Sequence, residues 1–186
     1  MYFEQPGKVN TQDTLTAAYE RARELGIDEV VVASTSGETA FVVLEIFENF
    51  RITAVTYHHG FIEPFKPIMP YRTRKQLEEK GVAVISATHA LSGVERAVAK
   101  KHGGVYPALL IADTLKLFGQ GTKVAVEVSI MAADAGTLTG NDIITIGGSS
   151  KGADTALVVK PANQSTLFDL RIREIICKPR HFKMAT

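Results

Sequence analysis

Six consecutive residues, Ser34-Thr35-Ser36-Gly37-Glu38-Thr39, are the first place in this sequence where side chains and backbone together could do chemistry. Four hydroxyls beside a glycine suit a phosphate at the start of a helix. There the backbone N–H groups lack partners and the helix end carries partial positive charge. Glu38 would repel an anion if turned inward, so it is expected to face outward or to meet a ligand hydroxyl. The same residue types also serve ordinary helix capping, with Ser36 as the cap and Gly37 as a turn residue. Position has to decide between the two readings.

Other polar residues stand where a loop could carry them into a site. His58 and His59 are neighbours, so on a strand they point to opposite faces and are unsuited to one metal. One is expected to line a crevice and the other to pack. Thr88-His89 follows a strand-like run and offers a second crevice histidine. Asp134, in Ala132-Ala133-Asp134-Ala135-Gly136, is a lone carboxylate suited to a ligand hydroxyl or ring N–H, although Asp shortly before Gly is more often a turn residue. The run Gly147-Gly148-Ser149-Ser150-Lys151-Gly152 is glycine-rich, with Lys151 as a phosphate-binding charge. It is not a Walker loop, because Lys151-Gly152 leads into a strand rather than a helix, and it lacks the spaced glycines of a dinucleotide turn. It equally suits a plain hairpin. Cys177 lies in an apolar run and reads as buried and inert.

The elements that must position these residues follow from periodicity. Asn10 is placed to cap a helix in which Leu15, Ala18, Ala22 and Leu25 recur at helical spacing, with Gly26 at its end. Residues 29–33 then read as a doubly buried strand, followed by the 34–39 loop and a helix over 38–50. A second unit follows: strand 52–56, a proline-rich loop over 61–71, helix 73–80 and strand 82–86. Ser92 and Glu95 form a capping box for a helix over 93–101, and Pro107 opens a helix running to 118. Residues 123–130 read as a fourth strand. Strands 142–146 and 155–160 are joined by eight residues, too few for a crossover helix, and should pair antiparallel. A last strand over 170–177 is expected at an edge, ended by Pro179.

This order gives one α/β domain over residues 1–186: a three-layer sandwich with a mostly parallel sheet, helices on both faces and a C-terminal antiparallel hairpin. Such sheets bind ligands beyond the carboxyl ends of their strands, where strand order reverses. With strand 29–33 central, the loops 34–39 and 131–136 should flank that crevice. Function classes are bounded by composition. Lys plus Arg number 21 against 20 Asp plus Glu, so no electrostatic footprint for nucleic acid or an anionic membrane is expected. The apolar stretches 41–47 and 105–118 are too short to span a bilayer, and the N-terminus lacks a secretory pattern, so a cytoplasmic protein is expected. Cys177 is the only cysteine, which excludes an intramolecular disulfide.

The chain resembles stand-alone relatives of the pyruvate kinase C-terminal domain, in which a strand runs into a small Thr/Ser-Gly phosphate loop and a helix. Val30-Val31-Val32-Ala33-Ser34-Thr35-Ser36-Gly37-Glu38-Thr39-Ala40 matches that arrangement, and residues 143–159 match a late hairpin with a glycine-rich loop. It is more closely similar to small, mainly archaeal proteins that share Ser36-Gly37-Glu38-Thr39-Ala40, His89-Ala90-Leu91-Ser92-Gly93, Met131-Ala132-Ala133-Asp134-Ala135-Gly136 and Gly152-Ala153-Asp154-Thr155-Ala156-Leu157. That resemblance implies bound flavin mononucleotide (FMN). Its phosphate would sit on Ser36 to Thr39, its ring near His58, His89 and Asp134, and the loop of Gly148, Ser149 and Lys151 would close over it. The catalytic barrel of pyruvate kinase has no counterpart here, so kinase activity is not expected. The rival expectation is a non-enzymatic effector module that senses a sugar phosphate or nucleotide and passes the signal through a homo-oligomer, which the apolar last strand suggests.

Overall fold

Val30, Val31 and Val32 are fully buried, so the strand that carries them needs cover on both faces. In the computed structural model, which describes residues 1–181, that cover is two layers of helices around one seven-stranded sheet. The elements run β1 (Tyr2–Phe3), α1 (Thr11–Leu25), β2 (Glu29–Ala33), α2 (Glu38–Ile46), β3 (Arg51–Thr56), α3 (Tyr71–Glu79) and β4 (Ala83–Ser86). There follow α4 (Gly93–His102), α5 (Pro107–Lys116), α6 (Gln120–Asp134), β5 (Ile143–Gly147), β6 (Thr155–Lys160) and β7 (Arg171–Pro179).

The strand order is β1-β7-β6-β5-β2-β3-β4. β2, β3, β4 and β5 are parallel, and β6 runs against both its neighbours. Leu15, Ala18 and Ala22 of α1, Val43 of α2 and Leu77 of α3 pack with Val30, Val32, Ile144 and Ile146 on one face. On the other face Ala112 of α5 and Ala125, Val128 and Ile130 of α6 pack with Val31, Ile143 and Leu157. No helix among the described residues is long and apolar enough to cross a membrane.

Two expectations are corrected. Residues 123–130, read as a strand, lie inside the 15-residue helix α6. Val124, Val126, Val128 and Ile130 alternate along the sequence, but α6 is buried on nearly every side. A helix covered all round shows no polar stripe to betray its period. The fourth parallel strand is therefore β5. The last strand is also not the outermost, because β1 pairs with β7 through Tyr2 and Phe3.

Candidate functional site

The reversal of strand order lies between β2 and β5. From β2 the chain steps outward to β3 and β4, and then returns through α4, α5 and α6 to β5 on the other side. The loops after β2 and β5 thus part around a crevice at the carboxyl edge, as parallel sheets require. A cleft of about 720 Å³ opens there, within the range of small-molecule sites.

The 34–37 loop forms one wall. Ser34 is buried, and its Oγ accepts the Ala40 N–H at 3.2 Å, so Ser34 does the capping expected of Ser36. The Ser36 Oγ only meets the Glu38 N–H at 3.5 Å. Among the described residues, no acceptor engages the N–H groups of Ser36, Gly37 or Thr39. Ser34, Thr35, Ser36, Glu38 and Thr39 line the cleft. Gly37 does not. Its φ is 99°, and a Cβ built on it would lie 2.4 Å from Thr73 Cγ2, so this glycine exists to let α2 start against α3.

The opposite wall is the β5–β6 loop, where Gly148, Ser149, Lys151 and Gly152 reach the cleft. The first turn of α6 lies directly on this end of the sheet. A Cβ on Gly121 would sit 2.1 Å from Thr155 Oγ1, so only glycine permits the approach. That contact brings Gln120 and the positive end of α6 to the cleft, beside the positive end of α2.

The floor comes from α6. Lys123 and Glu127, one turn apart, are both buried and form an ion pair. Glu127 Oε1 also accepts the Leu91 N–H at 3.0 Å, which ties α6 to the loop carrying His89. His89 lines the cleft, and burial pushes its pKa down to about 4, ahead of the opposing pull of Glu127, so its ring is neutral near pH 7. Tyr57 and Phe61 supply an aromatic flank, stacked at 4.1 Å between centroids and 19° between planes, with His89 5.1 Å from Tyr57. Arg96 and Lys151 also line the cleft and form no ion pair among the described residues.

Several expected site residues lie elsewhere. Asp134 and Gly136 follow from the misread strand. Asp134 ends α6, away from the cleft, where its Oδ1 accepts from Asn163 Nδ2 and the Gln164 N–H, both at 3.0 Å. His58 is behind the cleft wall rather than in it, its ring 5.5 Å from those of Phe61 and His89 and its buried Nδ1 without a partner. Tyr57 takes the place expected of a histidine. His59 turns the other way, toward Tyr71 and Ser86. Thr88 is exposed and off the wall. The Ser92–Glu95 capping box does not form, because Glu95 Oε2 accepts the Ala108 N–H at 2.9 Å and so caps α5 instead. Conversely, Lys123 and Glu127 escaped notice in the sequence, though a Lys and a Glu four apart in an apolar run are a helical pairing signal.

The family described as pyruvate kinase, alpha/beta domain, matches this chain over residues 12–159. The chain belongs to that family. The matched span of this pyruvate kinase alpha/beta domain runs from the second residue of α1 to Val159, the second-to-last residue of β6, so it holds both loops and the whole floor of the cleft. It leaves out the segment before α1, which also touches the cleft through Lys8.

Proposed function

We propose that the carboxyl-edge cleft binds a phosphorylated small molecule with a flat ring, FMN being the form that suits it best. The observation that carries this reading is the row of N–H groups at Ser36, Gly37 and Thr39, unengaged among the described residues, across the cleft from a loop whose Lys151 forms no ion pair among those residues. A phosphate would satisfy those donors at the positive end of α2. The residues present fit the remainder of the molecule as well. Tyr57 and Phe61 offer π surface to a ring. Lys123, held by Glu127, and the neutral His89 also line the cleft and offer polar contacts. A sugar phosphate would use the donors but leave the aromatic flank unused, which favours a ring-bearing ligand.

Bound flavin would bring the electron-transfer chemistry, and the chain's part would be to bind and orient it. The test is a titration of the purified protein with FMN and with riboflavin, which lacks the phosphate, followed by flavin fluorescence. Tight FMN binding with much weaker riboflavin binding is the expected result. Equal binding of the two would remove the phosphate from the 34–39 loop. Binding of nucleotides or sugar phosphates with neither flavin would turn the reading toward an effector module.

A further inference from the structure

Asp154 is fully buried, yet none of its work is done inside the cleft. Its Oδ2 accepts the Gly7 N–H at 2.8 Å and the Ser149 N–H at 3.1 Å, and its Oδ1 accepts the Thr155 hydroxyl at 2.9 Å. A buried carboxylate with three donors is a rigid junction, since freeing any donor leaves charge unsatisfied out of water. The junction joins the 148–153 loop to the segment that precedes α1. A second bond repeats the tie, from the Ala153 N–H to Thr11 Oγ1 at 3.1 Å. A third contact is steric: a Cβ on Gly152 would sit 2.9 Å from Lys8 Cα, so loop and segment are packed backbone to backbone. The segment is itself anchored by Phe3 in the core and by Asn10 Nδ2 on the Gln5 carbonyl at 2.7 Å.

This bracing carries Lys8 to the cleft. Its ammonium reaches across to Glu38 Oε2 at 3.3 Å, in the first turn of α2, where an acidic group would otherwise repel an anion. Both side chains are largely exposed, 70% and 75%, so the pair is worth little to the fold and exchanges readily. We propose that residues 1–11 complete the site: they pin the 148–153 loop through Asp154 and deliver Lys8 to the cleft mouth, where an anionic group of the ligand replaces Glu38 as its partner. The inference rests on the phosphate reading above, but Lys8 lies outside residues 12–159, the span matched by the family. The site would thus depend on a residue outside that matched span.

The test uses inorganic pyrophosphate as a ligand-neutral probe beside FMN and riboflavin, by calorimetry on the full chain. Lys8→Gln should weaken pyrophosphate binding about tenfold, the scale of one charge-assisted contact, and Lys8→Arg should restore most of it. Thr11→Val should speed amide hydrogen exchange at Ser149 to Ala153, whereas Lys8→Gln should leave that exchange unchanged. Pyrophosphate affinity of Lys8→Gln within twofold of the parent, or Thr11→Val without faster exchange, overturns the inference. If the parent binds pyrophosphate but neither flavin, the flavin reading fails and the Lys8 comparison still decides this one. If the parent binds no pyrophosphate and no FMN, both fall.

Discussion

Glu127 divides its two carboxylate oxygens between Lys123, one turn back on the same helix, and the backbone N–H of Leu91 in the loop before α4. Removing one partner of a buried pair costs more than removing the charge from both. Lys123→Met strands the Glu127 charge and should destabilise the fold by about 3–5 kcal/mol. The double variant Lys123→Met/Glu127→Gln should recover much of that loss, because a neutral amide still accepts the Leu91 N–H. Urea denaturation of the two variants checks this, and a double variant no more stable than the single one would refute it.

His89 gives the fold a pH dependence with a definite sign. Its folded pKa, about 4, lies below the ordinary value of 6.5, because burial disfavours the imidazolium. Between those values the unfolded chain binds the proton and the folded chain does not, so stability rises with pH. The contribution is complete above about pH 6.5 and is lost as pH falls toward 4. His89→Gln should flatten this slope. Urea midpoints at pH 4.5 and pH 7 would show the parent changing more than the variant, and equal changes would contradict the assignment.

Ser34 and Ser36 should separate stability from binding. Ser34→Ala removes the buried cap of Ala40 and should cost about 1 kcal/mol of stability. Ser36→Asp should leave the fold intact and greatly weaken FMN binding, by placing a like charge where the phosphate is proposed to sit. Thr39→Ala should cost only about 0.5–1.5 kcal/mol of binding. Cys177, buried in the core, should be replaceable by Ala with no effect on binding. Normal FMN binding by folded Ser36→Asp would move the phosphate elsewhere.

Gly37→Ala should destabilise the fold by more than about 1 kcal/mol, from backbone strain at φ 99° and from the clash with Thr73. Adding Thr73→Ala removes the clashing methyl and should return only the steric part. Thermal melts of the three proteins would resolve the two contributions. Full recovery in the double variant would mean that the φ strain is negligible.

The sheet and its crevice were legible because β2 and α2 carry local signals that agree with their environment: a β-branched run, then small hydroxyls, then a helix. The β5–β6 hairpin was legible from connection length alone. α6 was not, because burial on all sides erased its polar face, and that one misreading displaced Asp134 and Gly136 from exposed positions into the expected site. Tyr57 was passed over for His58 because strand alternation at a strand end depends on where pairing stops, and the β3–β4 ladder ends at Thr56. The part played by Asp154 was invisible for another reason. Its partners Gly7 and Ser149 lie on segments whose meeting is set by the fold as a whole.

Because α6 is at once the hydrophobic centre of one face and the base of the cleft, its residues answer to two constraints together. A change of ligand preference that began on α6 would be screened first for its damage to folding. The rim is under no such double burden: the 34–37 loop, the Tyr57–Phe61 corner, the 148–152 loop and Lys8 are open to solvent at their tips. Divergence among proteins built this way should therefore be written around the mouth of the cleft, with the base changing slowly and in coupled pairs such as Lys123 with Glu127.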